Sequence, residues 1–186
     1  MRKLACVLIF LIAFLLAHSA DALPRNMRRH GPRLGFNVAS GDLKRPYEAR
    51  GLLPIAGVAG WHFEFAMASA SNESVAVVFE QVPLLGGWDQ DLLTPTLSLV
   101  LGVRTGVGLE VGAGLTFVGP TYLVAASEWE SRDVIKSTHA TFALGWNLRA
   151  GRLNFPVNLA YTPSRSVGRQ GAWTTLTVGV NWSMLD

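Results

Sequence analysis

The stretch Arg152–Tyr161, RLNFPVNLAY, repeats with a period of two. Every second residue from Leu153 reads Leu, Phe, Val, Leu, Tyr, and from Arg152 reads Arg, Asn, Pro, Asn, Ala. Such a period is that of a β-strand with one apolar and one polar face. The same alternation begins at Leu34, Trp61, Val75, Leu97, Leu109, Ala140 and Leu176, so eight strands are expected. Most extend to about 9–11 residues, the length at which a tilted strand crosses a bilayer. Pro156 is a blemish in this pattern, because proline cannot donate to a ladder, and a bulge is expected there.

Which face points inward decides the class of protein. The polar faces carry Arg33, His62, Glu64, Glu80, Arg104, Glu110, His139, Arg149 and Arg152 among many small residues. A soluble core would have to bury these charges at several kcal/mol each unless they were paired. The narrow lumen of a lipid-embedded barrel is polar and lets them pair. Glycine and alanine on the same face leave room in a ring of only eight strands. Charged residues make up 16% of the chain, below the roughly 25% of an ordinary soluble domain. The apolar face is therefore expected to meet lipid.

The connections alternate in length. SASNES, RTGVG and RAGR are short; GDLKRPYEARGLLP, LLGGWDQDLLTP and GPTYLVAASEWESRDVIKST are long; TPSRSVGRQG is intermediate. Short turns at one end and long loops at the other are the pattern of outer-membrane barrels. With the N-terminus on the inner side, Trp61, Phe117 and Tyr161 are expected near the outer rim. Trp146 and Trp182 are expected near the inner one, giving two aromatic girdles. The fold class is all-β: an eight-stranded antiparallel up-and-down transmembrane barrel.

In this architecture the chain resembles the small eight-stranded outer-membrane β-barrel proteins of Gram-negative bacteria, over Arg33 to Leu185. The resemblance implies outer-membrane lipids and the barrel-assembly machinery as partners. Members often end on an aromatic residue that the machinery reads. This chain departs from that, ending VGVNWSMLD with Trp182 four residues short of the terminus.

Residues 1–22 read as a secretory signal. Arg2 and Lys3 are followed by LACVLIFLIAFLLA, 14 residues without charge, and by ADA as a cleavage site before Leu23. Fourteen apolar residues fall short of the roughly 20 that a spanning helix needs. Loss of this segment removes Cys6, the only cysteine, so no disulfide or thiol chemistry is expected. It also removes Arg2, Lys3 and Asp21, leaving 14 basic against 12 acidic side chains, a balance that does not point to nucleic acid. Residues 23–32 are basic and lack periodicity, as in a mobile leader, and residues 33–186 make the barrel domain.

Two rival folds share parts of this pattern. VGAGLTFVGPTYLVAAS is uncharged for 17 residues but holds three glycines and a proline, which argues against a membrane helix. A soluble lipocalin-like meander also alternates and differs only in which face is inside.

Chemistry is sparse. Glu64 and Glu80 lie at nearly matched depth on neighbouring strands, counted from SASNES. Two inward carboxylates suit an acid/base pair, but a salt-bridge network with interior arginines is the commoner arrangement. The expected network is Glu64, Glu80, Glu110, Arg104 and Arg149. His62 and His139 are expected near the outer rim, where lipid-modifying enzymes keep a histidine and a serine. Thr141 stands two residues after His139, however, and no catalytic constellation assembles. Asp89 and Asp91 in GGWDQD offer too few oxygens for calcium, and no metal or cofactor is expected. GVGLEVGAG places glycines along a strand with no following helix and is not a nucleotide motif. The expected function is structural or interactive, with long loops presented outside. The alternatives are an outer-membrane acyl hydrolase or transferase, or binding of a small hydrophobic ligand. N-terminal sequencing of the exported protein should begin close to Leu23; a chain still starting at Met1 would remove the outer-membrane reading.

Overall fold

The computed structural model describes residues 28–70, 74–124, 129–131, 137–166 and 169–183. The signal segment, residues 23–27 of the leader and the last three residues lie outside them. In chain order the strands are β1 (Arg28–Gly41), β2 (Ile55–Ser69), β3 (Val75–Gly86), β4 (Leu92–Thr105), β5 (Leu109–Val118), β6 (Tyr122–Val124), β7 (Trp129–Ser131), β8 (Ser137–Ala150), β9 (Leu153–Ser166), β10 (Arg169–Gly179) and β11 (Trp182–Ser183).

Eight of these close a ring. From β1 the hydrogen-bonded order runs through β2, β3, β4, β5, β8, β9 and β10, and β10 pairs back onto β1. Every neighbour is antiparallel, so the fold is an eight-stranded up-and-down β-barrel. β6 and β7 form a small hairpin that extends the outer end of β4 at Leu92↔Leu123. β11 carries the line of β10 along β1, with His30 opposite Trp182.

The pleat decides what each face meets. Leu144 is 49% exposed and Val157 39%, while Arg33 is 1% exposed and His62 fully buried. Leu34, Leu101, Val111, Phe142 and Leu159 join the exposed apolar band. A water-soluble sandwich would invert this, so the apolar face is the outside of the barrel. Among the described residues no helix is long and apolar enough to cross a membrane, and it is the strands that reach spanning length.

Glycine permits the tight curvature. A Cβ at Gly35 would lie 1.9 Å from the Leu176 carbonyl oxygen, and one at Gly114 equally close to that of Leu99. Only a residue without a side chain lets neighbouring strands approach so nearly. At the inner end the turn between β8 and β9 needs Gly151 at φ 61°, a conformation glycine adopts without strain.

Several sequence expectations shift by a few residues, and for one reason: the strands are longer than the alternation alone suggests. β2 starts at Ile55 rather than Trp61, and its 15 residues give the N-terminal end of β1 a partner. Residues 28–32 of the expected leader therefore pair with β2, from Arg28↔Phe65 to Pro32↔Trp61. β3 and β4 extend to Gly86 and from Leu92, and β9 and β10 to Ser166 and from Arg169, consuming most of both expected loops. β2 also contains a bulge at Met67, where the register shifts between Ala66 and Ala68. No bulge surrounds Pro156. It pairs with Asn147 in an unbroken β8–β9 register and follows the point where the β9–β10 ladder stops at Val157↔Val178. A break in the neighbouring strand, rather than a bulge, accommodates its missing N–H.

Replacing Val157 or Leu144 by arginine should destabilise the barrel by about 2–4 kcal/mol if the position is near the bilayer midplane. Ala143→Ser, on the lumen side of the same strand as Leu144, should cost much less. Urea unfolding of barrels folded into phospholipid vesicles measures both, and equal costs on the two faces would contradict the assigned direction.

Candidate functional site

The lumen divides into a charged floor and a cavity above it. The floor grows from strand register. Glu64 on β2 stands directly opposite Glu80 on β3, and Arg104 on β4 directly opposite Glu110 on β5. Two carboxylates facing each other across a ladder repel, and Arg104 offsets that repulsion. Its Nη1 and Nη2 donate to Glu64 Oε1 and Oε2 at 2.5 and 2.8 Å. Its Nε and Nη2 also donate to Glu110 Oε2, at 2.8 and 2.5 Å. Glu80 Oε1 lies 4.0 Å away. One planar guanidinium thus holds two carboxylates in fork geometry and faces a third. Arg29 Nη1 approaches Glu64 Oε1 at 3.6 Å from the end of β1.

His62 is the second centre. Its Nδ1 accepts from Arg33 Nη2 at 3.0 Å and from Asn181 Nδ2 at 2.7 Å. A guanidinium can only donate, so Nδ1 is the unprotonated nitrogen. The proton therefore sits on Nε2, which donates to Glu80 Oε1 at 2.7 Å. Arg29, Arg33 and Arg104 thus stand among Glu64, Glu80 and Glu110, three basic side chains beside three acidic ones.

His62, Glu64 and Glu80 also place ligand atoms within 4.8 Å of one another, a spacing suited to a metal ion. The donor set is already committed, however: Glu64 spends both oxygens on Arg104, and the His62 Nε2 proton is directed at Glu80. The guanidinium occupies the electrostatic role that a metal would have.

Above the floor lies a cavity of about 580 Å³. Its two sides differ. β2, β3 and β4 present Ala56, Val58, Val82, Leu84 and Val100. The facing wall carries a chain of hydroxyls linking Ser98 to Thr116 at 2.8 Å, Thr116 to Thr141 at 2.5 Å and Thr141 to Thr162 at 2.9 Å. Arg33 and Glu80 form the bottom, and Asp42, Leu43, Tyr47 and Arg50 from the first long loop stand at the mouth. That loop is built on a 3-10 turn (Asp42–Lys44) running into α1 (Arg45–Glu48). Asp42 ties it to the barrel by accepting the Gln170 N–H at 2.8 Å. Burial pushes the Tyr47 phenol above its ordinary pKa, so it stays a neutral hydroxyl.

Glu64, Glu80, Arg104 and Glu110 come together. Arg149 does not: it shares their inward parity but lies next to the β8–β9 turn, exposed and beyond the floor. The second floor cation is Arg33, with His62 and Asn181 beside it. Arg33, His62 and Asn181 all had inward parity in the sequence; Asn181 reaches the floor at the break between β10 and β11, and its contact with His62 has no sign in the sequence. His62 belongs to the floor rather than the outer rim, because β2 begins six residues before Trp61. The same displacement moves Trp61 from the expected outer girdle. It packs edge-on against Trp182 at 6.0 Å and donates Nε1–H to His30 Nδ1 at 3.2 Å, an aromatic cluster toward the inner end. Trp146 donates to the Val107 carbonyl of an inner turn. Phe117 lies one residue from the outer end of β5, and Tyr161 is exposed on β9 opposite Phe142. His139 is half-buried near the loop end of β8, hydrogen-bonded to Ser137 and packed on Trp173. Asp89, the calcium candidate, accepts the Gly57 N–H and so pins its loop to β2.

Two solved proteins similar to the chain in fold are Ail and a domain of OprF. Ail, the attachment invasion locus protein of Yersinia pestis, is 12% identical, with a TM-score of 0.45 and coverage of 84% of this chain and 99% of Ail. The N-terminal β-barrel domain of Pseudomonas aeruginosa OprF is 13% identical, with the same TM-score and coverage of 84% and 98%. No family model matches the chain. No curated protein matches it by sequence either. The closed ladder of strand pairs defines the barrel by itself.

Glu64→Gln removes one charge but leaves Arg104 with Glu110, and should cost about 1.5–3 kcal/mol. Arg104→Met leaves three carboxylates without their shared cation and should cost about 3–5 kcal/mol. Tryptophan-monitored urea unfolding in vesicles reads both. A neutral Glu64→Gln accompanied by loss of a lipid-modifying activity would make the floor a catalytic site instead.

Proposed function

We propose that the chain is an outer-membrane β-barrel with a structural and interaction role, holding its long loops on the outer side. The observation that carries this reading is the inversion of faces: apolar side chains exposed around a closed ring, ionised ones sealed within it. A closed ring leaves no unpaired strand edge, the condition for β-structure in hydrocarbon. Outer-membrane lipids are its solvent, and the barrel-assembly machinery its route into them. The floor supports a scaffold role, since Arg104 and His62 tie Glu64, Glu80 and Glu110 together across β2, β3, β4 and β5. The loop end supports a display role. The first loop is braced by α1 and by its Lys44–Glu48 and Asp42–Arg45 ion pairs, which hold a defined surface above the barrel.

Fractionation should place the protein with outer membranes, and its gel mobility should change on heating, as expected of a barrel that stays folded in detergent. An epitope inserted at Gly51, which has open space around it, should be labelled on intact cells. One at Gly151, in the turn at the opposite end, should be labelled only after permeabilisation. A soluble, heat-unmodified protein would overturn the membrane reading, and reversed labelling would overturn the orientation.

A further inference from the structure

The cavity is larger than a scaffold requires. A closed eight-stranded barrel can fill its interior with side chains, and the floor does so. Above Arg33 the inward positions turn small or short: Ala56, Ala143, Ala160 and a set of threonines leave about 580 Å³ open. That volume falls within the roughly 300–1,000 Å³ of small-molecule sites. The branched apolar residues Val58, Val82, Leu84 and Val100 gather on β2–β4, and the hydroxyl chain runs from β4 across β5, β8 and β9, with Val118 and Trp173 completing the lining.

A second observation comes from Arg33. It is 1% exposed and bottoms the cavity. Its Nη2 serves His62 and its Nη1 reaches the Pro156 carbonyl at 3.4 Å. Its Nε has no hydrogen-bond partner, and among the described residues no carboxylate pairs with it. A buried guanidinium donor without an acceptor is costly; Nε is sealed off as it stands, so an oxygen in the cavity satisfies it once the guanidinium turns toward the open space.

Charge balance selects the kind of oxygen. The floor's three guanidiniums already match its three carboxylates, so an anionic head would bring an uncompensated charge beside Glu80. A cationic head would meet Arg33. A hydroxyl or carbonyl oxygen uses the free donor and leaves the balance intact. We propose that the lumen is a binding site for one uncharged amphiphile. Its aliphatic body lies along Val58, Val82, Leu84 and Val100, and its oxygen end meets Arg33. It enters from the outer side past Tyr47 and Arg50. The site belongs to the lumen and does not depend on what the loops contact.

The test uses the protein folded in phospholipid nanodiscs, with dodecanol carrying a diazirine on its chain as the probe. After irradiation, peptide mapping separates lumen adducts at Val58 and Leu84 from lipid-side adducts at Leu34 and Leu101. Lumen labelling should saturate and be displaced by unlabelled dodecanol. Dodecanoate and dodecyltrimethylammonium should compete about tenfold less well or worse, since each carries a charge into a site that cannot balance it. Val82→Trp and Ala160→Phe, which fill the cavity from opposite walls, should each abolish lumen labelling and leave lipid-side labelling unchanged. Heat-modifiable mobility identifies which of the two variants is folded. Adducts confined to the lipid side would overturn the proposal, as would lumen labelling that survives both fillings. Equal displacement by dodecanoate would overturn the choice of an uncharged ligand.

Discussion

A strand in hydrocarbon has nowhere to send an unpaired backbone N–H or carbonyl except to another strand. That constraint orders the rest of this structure. It forces the eight strands into a ring, and the ring makes inside and outside unequal. One period-two sequence then has to satisfy two solvents at once, lipid on one set of alternate positions and a narrow enclosed space on the other. The exposed band through Leu144 and Val157 and the buried floor through Glu64 and Arg104 are two products of that single alternation.

Within the ring, the carboxylates are tolerated because each meets a donor, from Arg104 or His62. Buried pairs are not in themselves strong evidence of stability, since desolvation can consume the Coulombic gain. What makes the floor coherent is satisfaction across strands. The β2–β3 register brings two carboxylates together, and the β4–β5 register delivers the guanidinium that joins them. Arg104 therefore ties four consecutive strands at one level. The cavity above shows the complementary strategy, a wall of hydroxyls that satisfy one another in sequence from Ser98 to Thr162.

The barrel was legible in the sequence because alternation, strand number and turn length are all local properties. Parity was equally legible, and parity alone placed Arg33, His62, Glu64, Glu80, Arg104 and Glu110 on the lumen face. Height along the barrel was legible only across the short SASNES turn, where Glu64 and Glu80 count to the same level and do pair. Depth depends on where each strand begins and on the stagger between strands, and the six-residue extension of β2 moved Trp61 and His62 together. Arg149 was misplaced for the same reason: inward parity at the end of a strand leads to the rim, not the floor. Asn181 shared the inward parity of Thr177 and Gly179 in the last strand, but as one uncharged amide among several polar residues it was not singled out. The cavity was hidden too, since it arises from the summed size of side chains on many strands rather than from any one of them.

His62 lies on β2, but the two donors to its Nδ1 come from opposite ends of the chain: Arg33 from β1 and Asn181 from beyond β10. Those are the strands whose pairing seals the ring. Until the seam forms, the imidazole lacks the amide donor that the chain's far end supplies, and the floor stands open along its β1 side. A half-assembled sheet would therefore hold an unanswered acceptor and a set of charges facing hydrocarbon, at a cost that further zippering of the other strands does not relieve. Closure of the backbone and satisfaction of the interior are thus a single event. The long sequence separation of that contact makes the event slow to find; the coupling makes it all-or-none once found.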